Sequence, residues 1–235
     1  MRRFGPRCLC SLSGLLWSPF ESAGPGQWVL VHAAAGGVGM AAVQLARHLG
    51  LEVFATASTF KRATLRKLGV KHVYDSRTTD FADQILADTD GAGVDVVLNS
   101  LTSEGFIEAT LRATAQHGRF AEIAKRDIWT AEQMAQARPD IAYEIVALDT
   151  VMFTEPDRIR DLLTEVSEGL AGGQWTPLPA EVYPLTEARA AFRRMQQARH
   201  IGKIVVQIPN PLQPKPDRSY LITGGLGAIG LHTAS

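Results

Sequence analysis

The stretch Trp28-Val29-Leu30-Val31-His32-Ala33-Ala34-Ala35-Gly36-Gly37-Val38-Gly39 decides how the rest of the chain is read. It opens on an apolar run of strand length. Glycines follow at once, and then Val38, Ala41, Ala42, Leu45 and Leu49 recur at helical spacing until Gly50. Ala34-x-Gly36-x-x-Gly39 is a variant of the glycine fingerprint of dinucleotide sites, with alanine at its first position. A tight turn at this place lets the backbone approach a pyrophosphate, while the helix N-terminus offers unpaired N–H groups and a positive dipole end. The candidate cofactor loop is Ala34, Gly36, Gly37, Val38 and Gly39; a purely structural glycine turn is the alternative.

The pattern continues downstream. Strands are predicted at 52–57, 73–75, 94–99, 119–123 and 144–148, and helices at 60–68, 82–87 and 104–114. Strands alternating with helices are solved most simply by a doubly wound parallel sheet, an α/β fold with helices on both faces. After 148 the rhythm changes. Ile159, Leu162, Leu163, Val166 and Leu170 mark an amphipathic helix, with Thr154 and Asp157 resembling a capping box. A helix over 186–198, with Ala188, Ala191, Phe192 and Met195 on one face, and a strand over 203–208 follow. Four prolines between Pro209 and Pro216 read as an extended linker over 209–218, and a new strand and second glycine loop begin in 219–235.

Composition agrees with a globular chain. The 235 residues are 46% hydrophobic, and 24 Lys plus Arg balance 24 Asp plus Glu. That neutrality argues against a nucleic-acid-binding module. No window approaches the roughly 20 apolar residues that span a bilayer. The two cysteines, Cys8 and Cys10, leave no material for a disulfide framework or a four-cysteine zinc, and a cytoplasmic location is expected. Residues 1–23 read as a disordered leader, although Arg2, Arg3 and the leucines after them imitate a weak signal peptide.

The segment Thr56-Ala57-Ser58-Thr59-Phe60-Lys61-Arg62 bears on which dinucleotide is bound. An NAD site commonly carries Asp or Glu there, about 20 residues past the glycines. Here the segment holds Ser58, Lys61 and Arg62 instead, and Arg77 follows the third strand. Cations pair with a 2′-phosphate that a carboxylate would repel, so NADPH is predicted over NADH. His32 is expected to be a packed or hydrogen-bonded core residue.

The run from Val31 to Gln44 resembles the cofactor loop of zinc-independent medium-chain reductases. Asp75-Ser76-Arg77, Asp95 to Leu101, Gly118 to Lys125 and His200 to Val205 resemble one branch of them, the enoyl reductase domains of modular type I polyketide synthases. Ala124 stands where that branch has glycine. Tyr220 to Gly230 resembles the opening of a short-chain ketoreductase domain, here without the remainder of it.

The resemblance implies a Rossmann-type domain over 24–150. It also implies a return over 151–208 into a substrate domain that is only partly present. The reaction implied is NADPH-dependent reduction of an α,β-unsaturated thioester carried on an acyl carrier protein, without a metal. Lys125 and Asp149 become the candidate proton-donating pair, with a structural salt bridge as the alternative, and Asn99, Ser100 and Leu101 are expected near the cofactor. Neighbouring synthase domains and a homodimer are the implied partners. Two alternatives stay open: an inactive NADPH-binding remnant, and a stand-alone quinone reductase-like enzyme, which would end near Ile208.

Overall fold

The structure, a computed structural model, describes Phe20 and residues 23–209. Most of the expected leader, the linker past Pro209 and the second glycine loop lie outside the described residues. The decisive stretch forms β1 (Trp28–Val31), a tight turn, and α1 (Gly37–His48). The series continues as β2 (Glu52–Ala57), α2 (Thr59–Lys67), β3 (His72–Asp75), α3 (Phe81–Asp88), β4 (Val94–Asn99), α4 (Phe106–Arg112), β5 (Thr114–Glu122), α5 (Ala131–Ala137) and β6 (Ala142–Ile145). These six strands make one sheet in the order β3-β2-β1-β4-β5-β6, every adjacent pair parallel. The direction of winding reverses between β1 and β4, and ligands of such sheets bind beyond the carboxyl ends of the strands at that point.

Strand β1 is apolar throughout because it is central. Val29 and Val31 join one buried layer with Ala42, Leu45 and Val53; Leu30 joins the other with Phe54, Phe81, Ile85 and Phe120. His32 is buried between Thr56 and Thr110, as expected, its Nδ1 2.9 Å from one hydroxyl and its Nε2 3.0 Å from the other. Among the described residues no helix is long and apolar enough to cross a membrane.

Beyond β6 the chain forms α6 (Leu148–Thr154), α7 (Pro156–Ala171), β7 (Ala180–Pro184), a short 3-10 turn, α8 (Ala188–Gln196) and β8 (Lys203–Gln207). β7 and β8 pair in parallel as a separate two-stranded sheet. An amide clasp ties this return to α1: Gln44 Nε2 donates to Thr176 O at 3.0 Å and Thr176 N donates to Gln44 Oε1 at 2.9 Å.

Several expectations are corrected. The sixth strand ends at Ile145, and Leu148 begins a helix, so Asp149 lies in a first helical turn rather than at a strand end. The boundary drawn after 150 falls inside that helix. No capping box forms at Thr154 and Asp157. Glu155 stands at the N-cap position of α7 without a side-chain capping bond, Pro156 occupies its first turn, and the Thr154 hydroxyl donates to Thr150 O. A capping box forms instead at Thr130, between its side chain and Gln133. Of the expected apolar face of α8 only Ala191 is buried; Phe192 and Met195 are exposed.

Candidate functional site

The glycine turn is built from backbone constraints. Ala33 carries a positive φ of 48°, and its carbonyl accepts from Gly36 N at 2.9 Å. Ala34 N donates to Thr56 O at 2.9 Å, which fastens the turn to the end of β2. Helix α1 starts after Gly36 with no side-chain cap and no acidic residue in its first turn. Its first N–H groups have no partner within the helix and point to the carboxyl edge of the sheet.

The return segment completes this turn. Gly202 forms a parallel bridge with Gly36 and donates its N–H to Ala35 O at 2.9 Å. Next to it, Lys203 lays its side chain over the loop so closely that a β-carbon at Gly37 would come within 2.7 Å of Nζ. Lys203 was not singled out in the sequence. The signal available was its place in the His200 to Val205 run; its contact with Gly37 depends on a chain return of more than 160 residues.

At the end of β2, Ser58 is the N-cap of α2 and its side chain makes no capping bond. Lys61 is buried (9% exposed), and burial, followed by the nearby Arg77 and Arg194 guanidiniums, holds its pKa below the usual lysine value. Arg194 was also missed; it comes from α8, and its Nε and Nη2 bind both oxygens of Glu181 at 2.9 and 3.1 Å. Arg62 is less free than the sequence implied. Its Nη2 donates to Thr59 Oγ1 at 2.6 Å and to Asp75 Oδ2 at 3.2 Å. Asp75 is the Cα partner of Ala57, so the carboxylate missing from the end of β2 is supplied by the end of β3. Its other oxygen accepts from Arg77 N at 2.9 Å.

The opposite end of the crevice lies past β4 and β5. Asn99 and Glu122, the last residues of these strands, are Cα partners and both are fully buried. Asn99 Nδ2 donates to Glu122 Oε2 at 2.6 Å, and Asn99 Oδ1 accepts from Leu101 N at 3.3 Å. Both ends of the Asn99 amide are thus occupied by the protein itself. Burial raises the Glu122 pKa, against the pull of hydrogen bonds from Asn99 and the Ala124 and Ile123 amides. Lys125 and Asp149 do meet, Nζ to Oδ1 at 2.5 Å, with side chains 54% and 68% exposed. The Lys125 hydrogen bond holds the Asp149 carboxyl below the usual carboxylate range.

Two buried side-chain atoms, Ser100 Oγ and His200 Nδ1, have no hydrogen-bond partner among the described residues. Ser100 follows β4. His200 is held below its usual pKa by burial and by Lys61, so it belongs to the cation cluster. A dinucleotide lying along the edge fits this arrangement: helix N–H groups and Lys203 in the middle, cations at one end, and a buried polar atom without a described partner near each end. Among the described residues no three His, Cys, Asp or Glu side chains converge as a metal site requires.

Comparison with known proteins agrees with the fold. The family model described as "Zinc-binding dehydrogenase" matches residues 68–206, more than half of the chain. The phenolphthiocerol synthesis polyketide synthase type I Pks15/1 of Mycobacterium marinum is 47% identical over 209 residues, 88% of this chain. The chain spans about a tenth of the length of that relative. The solved structure of CurK enoyl reductase is 45% identical with a TM-score of 0.77, over 88% of this chain and 61% of that one. The nucleotide-binding subdomain of the enoylreductase domain of PpsC from Mycobacterium tuberculosis is 39% identical with a TM-score of 0.63. Here 72% of this chain covers 96% of the other. A quinone oxidoreductase from Thermus thermophilus, also solved in complex with NADPH, is 30% identical with a TM-score of 0.68, over 85% of this chain and 64% of that one. The chain belongs to the zinc-binding dehydrogenase family and is homologous to the enoyl reductase domains of polyketide synthases.

Proposed function

We propose that the chain holds NADPH along the carboxyl edge of its sheet and forms the nucleotide-binding part of an enoyl reductase acting on an acyl-carrier-protein thioester. The observation that carries the cofactor reading is Lys61. A buried lysine, its pKa lowered first by burial and then by the Arg77 and Arg194 guanidiniums against the opposing pull of Glu181, marks a pocket where cations are in excess. A 2′-phosphate would relieve that excess, with Ser58, Lys61, Arg77 and Arg194 around it. Lys203 and the Gly36 to Gly39 turn would face the pyrophosphate.

Bound NADPH supplies a hydride for the β-carbon of an α,β-unsaturated thioester. Lys125 would donate a proton from Nζ to the α-carbon, and Asp149, 2.5 Å away, orients that side chain. Residues 151–208 then act as the return toward a substrate domain, and neighbouring synthase domains are the natural partners. One observation favours a second reading, NADH: Asp75 sits beside the end of β2, where a carboxylate would accept from ribose hydroxyls.

Titrating the purified 235-residue polypeptide with NADPH and NADH by fluorescence separates the two. NADPH is expected to bind tighter, and Lys61→Ala to cost it about tenfold or more while leaving NADH unchanged. Equal affinities, or a preference unmoved by Lys61→Ala, would sink the assignment. The electrostatics add a pH signature. Lys61 has a lowered pKa in the free protein, and a phosphate raises it, so NADPH binding takes up a proton on the alkaline side. The NADPH preference therefore declines as pH rises through the Lys61 titration. A preference independent of pH up to 10.5, the ordinary lysine value, argues against a phosphate at this lysine. A crotonyl thioester assay reads the second half of the proposal, and NADPH binding without turnover favours a cofactor-binding remnant.

A further inference from the structure

We infer that Asn99 and Glu122 act as a positioning pair that fixes the two loops bordering the nicotinamide end of the crevice, rather than as groups that touch the cofactor. The inference rests on the reading that this edge holds NADPH. It begins with register: Asn99 and Glu122 close neighbouring parallel strands and stand opposite each other. Beyond them the chain leaves the sheet as two loops, one carrying Ser100 and Leu101, the other Ala124 and Lys125.

A continuous path of hydrogen bonds joins these loops. Leu101 N donates to Asn99 Oδ1, Asn99 Nδ2 donates to Glu122 Oε2, and Ala124 N donates to Glu122 Oε1 at 2.8 Å. Each terminal amide belongs to a neighbour of a residue with unspent chemistry. Ser100, whose hydroxyl has no partner among the described residues, precedes Leu101, and Lys125 follows Ala124. The pair thus sets the separation between a spare donor and a candidate acid.

Stability alone does not explain the choice of glutamate. A fully buried carboxylate is costly, and among the described residues none of its hydrogen-bond partners is a cation. A reversed pair, glutamine at 122 and aspartate at 99, would satisfy the same groups. The glutamine oxygen accepts from Ala124 N, its NH2 donates to the aspartate, and the aspartate accepts from Leu101 N. The singles cannot: Asn99→Asp sets two carboxylates face to face, and Glu122→Gln leaves the two amides to compete for one acceptor.

The test measures NADPH affinity and thermal midpoint for Glu122→Gln, Asn99→Asp and the double variant. Expected is about tenfold weaker NADPH binding by folded Glu122→Gln, with the double variant back within about twofold of the parent. Exchange of the Leu101 and Ala124 amides should rise in Glu122→Gln and fall again in the double variant. If Asn99→Asp does not fold, Glu122→Gln and the double variant still decide. Folded Glu122→Gln binding NADPH as the parent does, with only its melting point changed, would reduce the pair to a fold element and overturn the inference. So would a double variant that stays weak. A parent chain that fails to bind NADPH overturns instead the cofactor reading on which the pair depends.

Discussion

At neutral pH a His32→Gln variant is less stable than the parent, and the gap closes and then reverses as pH falls from 6.5 toward 3. The reason is a buried imidazole that only one protonation state suits. The Thr110 hydroxyl donates to Phe106 O at 2.7 Å, so its oxygen accepts the Nε2–H of His32. The Thr56 oxygen accepts from Ala33 N at 3.3 Å, and its own hydrogen turns to His32 Nδ1. The neutral Nε2–H tautomer satisfies every group. A second proton on Nδ1 would confront the Thr56 hydrogen with no acceptor left. Burial accordingly lowers the pKa to about 3, against 6.5 for the free side chain.

A histidine with a depressed folded pKa binds fewer protons folded than unfolded throughout that window. Its contribution to stability is complete above 6.5 and is lost as pH falls toward 3. The pKa difference corresponds to about 5 kcal/mol, a large share of a domain's total of about 5–15 kcal/mol. Glutamine cannot reach both hydroxyls and costs about 1–3 kcal/mol at pH 7, but it does not titrate. Urea midpoints should converge below pH 6.5 and cross before pH 4, where the stability lost through His32, about 3 kcal/mol, exceeds the glutamine cost. Parallel curves for parent and variant would show that His32 titrates normally. Because Ala33 follows directly, with its positive φ, the acid effect should reach the glycine turn first.

The β1–turn–α1 unit was legible because two periodicities meet at glycines. Val29 to Val31 are buried on both sides, and of the helical spacing read at Val38, Ala41, Ala42, Leu45 and Leu49 the structure buries Ala42 and Leu45 while Val38 is exposed. The lost parts share a different property. β7 buries no residue completely, so its alternation leaves little apolar pattern to find. Asp149 slipped from a strand end to a helix start because the 144–148 run suits either element. The site residues that were missed depend on contacts between distant segments. Asp75 matters because β3 pairs with β2 at Ala57, Glu122 because β5 pairs with β4 at Asn99, and Lys203 because Gly202 bridges Gly36. A single sequence shows each of these residues but not the register that gives it a neighbour.

The two neighbouring glycines of the turn should separate fold from binding. A β-carbon at Gly39 would lie 2.5 Å from Ala34 Cα and 2.7 Å from Ala33 O, both backbone atoms of the turn. No rotamer relieves that overlap, so α1 must retreat from β1 and carry its N–H groups away from the phosphate position. Overpacking against fixed backbone puts the cost of Gly39→Ala near the top of its usual range, about 3 kcal/mol, or roughly 10 °C in melting temperature for a domain of this size. Binding of NADPH and NADH should fall together, since both present the same pyrophosphate.

At Gly37 the nearest atoms are instead the side-chain end of Lys203. That side chain can swing aside, so Gly37→Ala should melt within about 2 °C of the parent. Its displaced ammonium should still cost both cofactors about tenfold in affinity. Lys61→Ala completes the contrast by weakening NADPH alone. Melting curves and titrations of the three variants against both cofactors check the set. A Gly39→Ala protein that melts and binds like the parent would mean that the turn does not carry the phosphate, and the cofactor assignment would lose its foundation.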